Sequence, residues 1–430
     1  MPPEVFPRRQ TIAQTQIEQL RVLLRAILPA NAFYAAKLDA EGLTAKVANL
    51  GDFSARFPFT SKAELAADQA ACPPYGTNLT FPPERYTRAH QTSGTSGVPL
   101  RWLDTPESWS WMIGSWQTIL RAAGVTPTDR LFFAFSFGPF IGFWLAFEAA
   151  TKSGCRVFAG GGMTSVTRLR SLLDQGATVL CCTPTYALHL AEIAAEQNID
   201  LSTSPVRLLI VAGEPGGSLP ATRSRLEAAW PGARVFDHHG MTETGPVTFE
   251  CPSRPGVLHV LESSYIAEIV EPGTNRALPT GETGELVLTT LGRVGSPLLR
   301  YRTGDLVRAC HDTVCECGRS DLALDGGILG RTDDMVVIRG VNVYPSALDE
   351  VVRSQEGIAE YQVRVDRHTT LSELSVQVEP LAAVADAHAL AARLEAAFQT
   401  AFNLRVPVGI VAPGTLPRFE MKAKRWQVQA

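Results

Sequence analysis

Excess charge is what this chain most visibly lacks. Its 39 Lys and Arg stand against 43 Asp and Glu, leaving a net charge of −4 over 430 residues. That balance argues against a basic nucleic-acid footprint, and a hydrophobic fraction of 45% excludes a chain too polar to build a core. Cysteine is scarce as well, with eight in all, far below the density of a disulfide scaffold. Cys155 and the pair Cys181-Cys182 sit in apolar stretches that suit buried thiols, so a reducing cytoplasm is the expected location. Membrane-length apolar runs are missing too. The longest uncharged run, 131–147, falls short of the ~20 residues that a spanning helix requires. Gly138-Pro139 and Gly142 interrupt it, which predicts a buried strand, turn and helix and no membrane partner. Residues 1–10 carry prolines, a glutamate and two arginines without an apolar h-region, so no secretory signal is expected. Internal repeats and low-complexity tracts are also wanting.

At ~150 residues per domain the length implies two or three domains. Ile17, Leu20, Leu23, Leu24, Ile27 and Leu28 recur at helical spacing over 16–28, just ahead of Pro29. Ser61 followed by Glu64 reads as a capping box that opens another helix. From 131 onward, apolar strand-like segments (131–135, 156–158, 178–182, 206–211, 234–236) alternate with helical ones (165–174, 185–197, 218–229). Such alternation predicts a mostly parallel sheet with helices on its faces. Between 258 and 307, short strands and turn signals such as Pro272-Gly273 predict an antiparallel section. Beyond 330 the pattern reads strand 335–338, helix 346–355, strands 361–365 and 374–378, helix 382–402, and a strand near 408–411. The expected fold class is α/β. A large multi-layer amino-terminal domain, residues 1–329, would hold parallel sheets plus an antiparallel β section; a small α/β carboxyl-terminal domain would span 330–430.

Chemistry concentrates in five segments. Thr92, Ser93, Gly94, Thr95, Ser96 and Gly97 pack four hydroxyls and two glycines into six residues. Glycines let backbone N–H groups converge on an anion and hydroxyls add donors without bulk, so the segment can cradle a polyphosphate. It lacks the lysine and spacing of the P-loop, and a flexible Ser/Gly turn is the plainer alternative. Asp237-His238-His239-Gly240-Met241-Thr242-Glu243-Thr244-Gly245 follows an apolar strand directly, at the kind of strand end where α/β sheets bind ligands. Thr242 can bond a phosphate and Glu243 can offer magnesium a carboxylate; the histidines could equally be satisfied core residues. Tyr301 to Asp305 places an aspartate after a turn glycine, suited to two ribose hydroxyls. Gly330 to Asp334 marks the expected domain junction, and Pro417 to Arg425 carries Lys422 near the carboxyl end. Singly, the last three are ordinary polar turns.

In this order the five segments resemble the adenylate-forming acyl-CoA synthetase superfamily, and within it the phenylacetate-CoA ligase group. Residues 57–62, 183–186, 212–215 and 338–345 extend the resemblance from about 57 to the carboxyl end. It implies a large amino-terminal domain and a mobile cap, with ATP and an acid bound at their interface. By position, Thr92 to Gly97 would be the phosphate loop, Thr242 a phosphate ligand and Glu243 the Mg²⁺ ligand. Gly213, Glu214, Pro215, Asp237, His238 and His239 would surround adenine, Asp305 and Arg331 the ribose. Lys422 would serve adenylation and Asp333 would be the hinge. Phe135, Phe140, Ala212, His238, Gly245 and Pro246 would line the acid pocket, whose aromatic character favours an aryl or arylacetic acid. Three departures stand out: Val98 where the family has a basic residue, His239 where it has tyrosine, and Phe419 and Met421 beside Lys422.

The resemblance implies ATP-dependent conversion of a carboxylic acid to an acyl-adenylate and transfer to the thiol of coenzyme A. Transfer to a carrier protein, AMP transfer without thioesterification, and a nucleotide-binding relative without turnover are the alternatives. Similar ligases are commonly homodimers. Cys251, His259, Cys315 and Cys317 make a Cys₃His set suited to structural zinc, although the spacing is atypical. Relatives carry a similar cluster; Cys310 and His311 are substitute ligands, and free thiols are the plainer alternative.

Overall fold

The apolar stripe of the first helix begins earlier than the sequence suggests. In a computed structural model describing residues 6–92, 99–311, 314–339, 341–366, 373–419 and 423–429, the helix runs Arg9–Ile27. Ile12 adds one turn to the face of Ile17, Leu20, Leu24 and Ile27, which packs against Phe53, Phe57 and Leu299. Each such residue contributes about 1.5–3 kcal/mol on full burial. The capping box forms as expected: Ser61 N donates to Glu64 Oε2 at 2.7 Å, and Glu64 N to Ser61 Oγ at 3.2 Å.

The chain folds as two compact units, Met1–Gly162 with Phe236–Gly327 and Met163–Val235 with Ile328–Ala430. In the first, strands Arg130–Phe133 and Arg156–Ala159 pair in parallel. The expected antiparallel section is present, with Thr283–Thr290 between Tyr265–Val270 and Tyr301–Arg308. A second antiparallel set joins Thr248–Glu250, Val257–Val260 and Ala323–Asp325. The helix Pro106–Ala122, capped by Thr105, escaped sequence reading because Gly114 and three serines dilute its propensity. Its buried face is nonetheless regular: Trp109, Met112, Ile113, Trp116, Ile119 and Leu120. The 131–147 run is a short strand, an irregular turn and the helix Trp144–Lys152. A Cβ at Gly142 would lie 2.2 Å from the Phe135 ring, so the turn requires glycine there. Among the described residues no helix is long and apolar enough to cross a membrane.

In the second unit, Val179–Cys182 and Leu208–Val211 pair in parallel and are buried throughout, which explains their unbroken apolar sequences. Helices Ser165–Asp174, Pro184–Glu196 and Pro220–Ala229 fall where the alternation predicts. A second sheet orders Val408–Ile410, Glu373–Pro380, Ile358–Asp366 and Trp426–Gln429. Its core joins Val363 and Val376 to Leu348 and Leu394 of the helices Pro345–Arg353 and Ala387–Phe402. The last helix starts five residues later than expected because Asp386 caps it, accepting from Ala389 N at 2.9 Å.

Candidate functional site

Two short strands, Gly240–Met241 and Gly245–Pro246, form a hairpin whose turn is Thr242-Glu243-Thr244. Gly245 has a positive φ of 87°, and a Cβ there would come 2.7 Å from Met112 Sδ. The turn would project freely but for a buried clamp. Arg293 Nη1 donates to the carbonyls of Thr242 and Glu243, each at 2.8 Å, while Nε and Nη2 grip the Asp104 carboxylate at 2.7 and 2.6 Å. Tyr265 donates to the Thr244 carbonyl at 2.8 Å. With its backbone so fixed, Glu243 presents Oε1 to Lys62 Nζ at 3.3 Å and to the Tyr301 hydroxyl at 3.4 Å. Sequence reasoning passed over Asp104, Arg293 and Trp116 altogether. For Asp104 and Arg293 the signal is a charge in a largely uncharged stretch, which marks burial but names no partner.

The neighbouring histidines differ sharply in setting. His238 Nδ1 donates to the Thr248 carbonyl at 2.7 Å, its ring tilted against Trp116 at 4.4 Å between centroids. Burial pushes its pKa down to about 3, against the opposing effect of that hydrogen bond. His239 receives its backbone position from Thr248 Oγ1, 3.0 Å from the amide N, and sets Nε2 3.0 Å from Asp305 Oδ2. Asp305 is itself placed by a hydrogen bond that its backbone N–H donates to Thr303 Oγ1 at 3.0 Å. The predicted adenine and ribose residues Asp237, His238, His239 and Asp305 therefore gather beside Thr242 and Glu243 in one unit. Asp237 Oδ1 is engaged by the His238 amide at 2.9 Å. Phe135 and Phe140 join an aromatic wall, their centroids 6.3 Å apart, which Phe143 continues to Trp116.

Of the remaining predicted residues, Ala212, Gly213, Glu214, Pro215, Arg331 and Asp333 lie in the second unit. Ala212, Gly213, Glu214 and Pro215 follow the strand Leu208–Val211. Glu214 is occupied by backbone: Oε1 accepts from Thr185 N at 2.9 Å and Oε2 from Ala423 N at 2.8 Å. The carboxylate thus ties down the residue immediately after Lys422. Arg425 reinforces that segment through Glu360, at 2.7 and 3.0 Å. Arg331 pairs with Asp333 at 2.9 Å across an exposed turn. Thr92 is buried, with its Oγ1 accepting from Leu100 N at 3.0 Å. Ser93, Gly94, Thr95, Ser96, Gly97 and Lys422 lie outside the described residues.

A separate cluster in the first unit joins Cys251, His259, Cys315 and Cys317, whose ligand atoms all fall within 4.8 Å of one another. Cys251 Sγ lies 3.5 Å from Cys315 Sγ, and Cys317 Sγ 3.4 Å from His259 Nε2. Thiolates around tetrahedral zinc stand about 3.8 Å apart, so the set fits such an ion. His259 Nδ1 is 3.3 Å from the Asp321 carbonyl, which turns the Nε2 lone pair inward. Burial pushes this imidazole down to about 4 and keeps it in the neutral, ligating form. Antiparallel pairing of His259 with Ala323 and a turn closed by Gly318 N to Cys315 O bring the distant halves together. Cys310 packs against the cluster without joining the four.

The sequence profile described as AMP-binding enzyme matches residues 66–292, and that of the AMP-binding enzyme C-terminal domain matches 340–427. A phenylacetate-coenzyme A ligase from Thermus thermophilus is 32% identical over 97% of this chain and 96% of its own. One from Escherichia coli is 32% identical over 95% and 93%, respectively. The crystal structure of 2-hydroxyisobutyryl-CoA ligase in the postadenylation state superposes with a TM-score of 0.93 at 29% identity, covering 98% of this chain and 90% of that one. With the AMP-binding enzyme profile and its carboxyl-terminal counterpart both matched, the chain belongs to the AMP-binding enzyme family.

Proposed function

We propose that the protein activates a carboxylic acid with ATP, forming an acyl-adenylate and pyrophosphate, and then passes the acyl group to the thiol of coenzyme A with release of AMP. The observation that carries this reading is the clamped Thr242-Glu243 turn beside His239 and Asp305, on a chain one third identical to phenylacetate-coenzyme A ligases.

The chemistry explains the parts. A carboxylate is a poor acyl donor because oxide would have to leave, so it first attacks the α-phosphorus and displaces pyrophosphate. Both reactants are anionic; positioning and charge compensation are the main catalytic tasks. Thr92 to Gly97 would supply donors to the phosphates, and Lys422 an ammonium to the developing charge. Glu243 suits magnesium, which typically takes one or two carboxylates from protein and the rest of its shell from phosphate and water; the ion would neutralise the pyrophosphate leaving group. Asp305 would hold the ribose. In the second step the thiol attacks the acyl carbon and AMP departs. Residues 330–430 would move about Asp333 between the two steps. The phenylalanine wall of Phe135 and Phe140 favours an aryl or arylacetic acid. Cys251, His259, Cys315 and Cys317 would hold a structural zinc ion. The test is a panel of acids assayed for pyrophosphate release with and without coenzyme A. Lys422→Ala abolishes adenylation if the reading is right, and full adenylation by that variant would refute the assignment of the lysine.

A further inference from the structure

A buried imidazole with one ring nitrogen left without a partner among the described residues packs against Trp116, which adjoins the aromatic wall. His238 is 5% exposed. Its Nδ1 bonds a carbonyl, which only accepts, so Nδ1 carries the proton. With the ring neutral, Nε2 is then a bare lone pair. No group among the described residues bonds Nε2, while Nδ1 engages the Thr248 carbonyl and the ring packs on Trp116. Gly240 is next to that nitrogen and offers no side chain; a Cβ there would stand 3.3 Å away. Nε2 is not among the fully buried atoms left without a partner, so it stays open to a donor from outside the protein, water in the free enzyme or a ligand group that displaces it.

We propose that His238 Nε2 accepts a hydrogen bond from a hydroxyl or amino group on the acid, making this ligase selective for hydroxy- or amino-substituted carboxylic acids over their unsubstituted parents. The inference deepens the acid-activation reading and rests on it. Adenine also carries an amino donor. The geometry favours the acid, because Trp116 joins His238 to Phe143 and Phe135 of the phenylalanine wall. Selectivity follows from the cost asymmetry: a bound parent acid displaces water from Nε2 and leaves it unpaired, whereas a substituted one replaces the lost hydrogen bond.

Matched pairs test this in the intact enzyme: phenylacetate against the hydroxy- and aminophenylacetates, and benzoate against the corresponding benzoates, each by kcat/KM for pyrophosphate release. At least one donor-bearing acid is expected to exceed its parent by about tenfold or more. In His238→Asn the amide can still donate to Thr248 but cannot reach the acid, and the ratio collapses towards one; His238→Gln restores part of it. A parallel arm compares ATP with its analogue lacking the 6-amino group. Equal use of every pair by the native enzyme overturns the proposal, as does a preference that survives in His238→Asn or discrimination confined to the purine. Acid-dependent release with equal pairs leaves acid activation standing and this inference refuted. Silence with every acid refutes both.

Discussion

Arg293 and Asp104 form a fully buried two-point ion pair, and the guanidinium's remaining reach goes to the backbone of the Thr242-Glu243 turn. A charge removed from such a pair leaves its partner stranded at a cost of about 3–5 kcal/mol. Arg293→Ala should therefore lower unfolding stability by that order and weaken adenylation. The double variant Arg293→Met with Asp104→Leu should recover much of the stability in a denaturant titration while activity stays low, because the turn carbonyls still lack donors.

Glu243 is buried, and both of its described neighbours are donors. Glu243→Gln preserves shape and removes charge. Adenylation should fall on the order of a hundredfold, with the magnesium concentration for half-activation rising; an unchanged magnesium titration would remove this carboxylate from metal binding.

The thiol cluster should retain one zinc per chain after purification without added metal. Cys315→Ser or prolonged chelation should lower the unfolding midpoint by several degrees with kcat affected less, since the ion is assigned to structure. Metal-free protein of undiminished stability would show four ordinary thiols.

Much of the architecture was legible in the sequence for simple reasons. Unbroken apolar runs such as 179–182 need burial on both faces, and Ser61 with Glu64 satisfies two amides reciprocally wherever it occurs. Thr242 and Glu243 were legible as polar residues at a glycine-bearing turn; Asp305 was legible beside Gly304, but the turn expected there is part of the strand Tyr301–Arg308. The clamp was not: 189 residues separate Arg293 from Asp104, and local sequence carries no trace of such a pairing. The parallel strand Trp426–Gln429 was missed for a related reason, because four residues of mixed polarity become a strand through pairing with Val363 to Asp366. Nor does spacing reveal that Glu214 is spent on the amides of Thr185 and Ala423.

His238 also sets a pH dependence. Its folded pKa of about 3 lies below the ordinary 6.5, so below pH 6.5 the unfolded chain binds a proton that the folded one refuses. Unfolding free energy should fall by about 1.4 kcal/mol per pH unit from this group as pH drops from 6.5 towards 3. At neutral pH the penalty is absent. His238→Asn should flatten that part of a stability profile, and an unaltered slope would show that the imidazole is not the group responsible.

The most direct measurement is a single turnover with ATP and a preferred acid, first without and then with coenzyme A, products identified by mass. The account predicts an enzyme-bound acyl-adenylate with one equivalent of pyrophosphate, converted to acyl-CoA and AMP when the thiol is added. Formation of ADP and phosphate, or acyl-CoA arising without any acyl-adenylate, would contradict it.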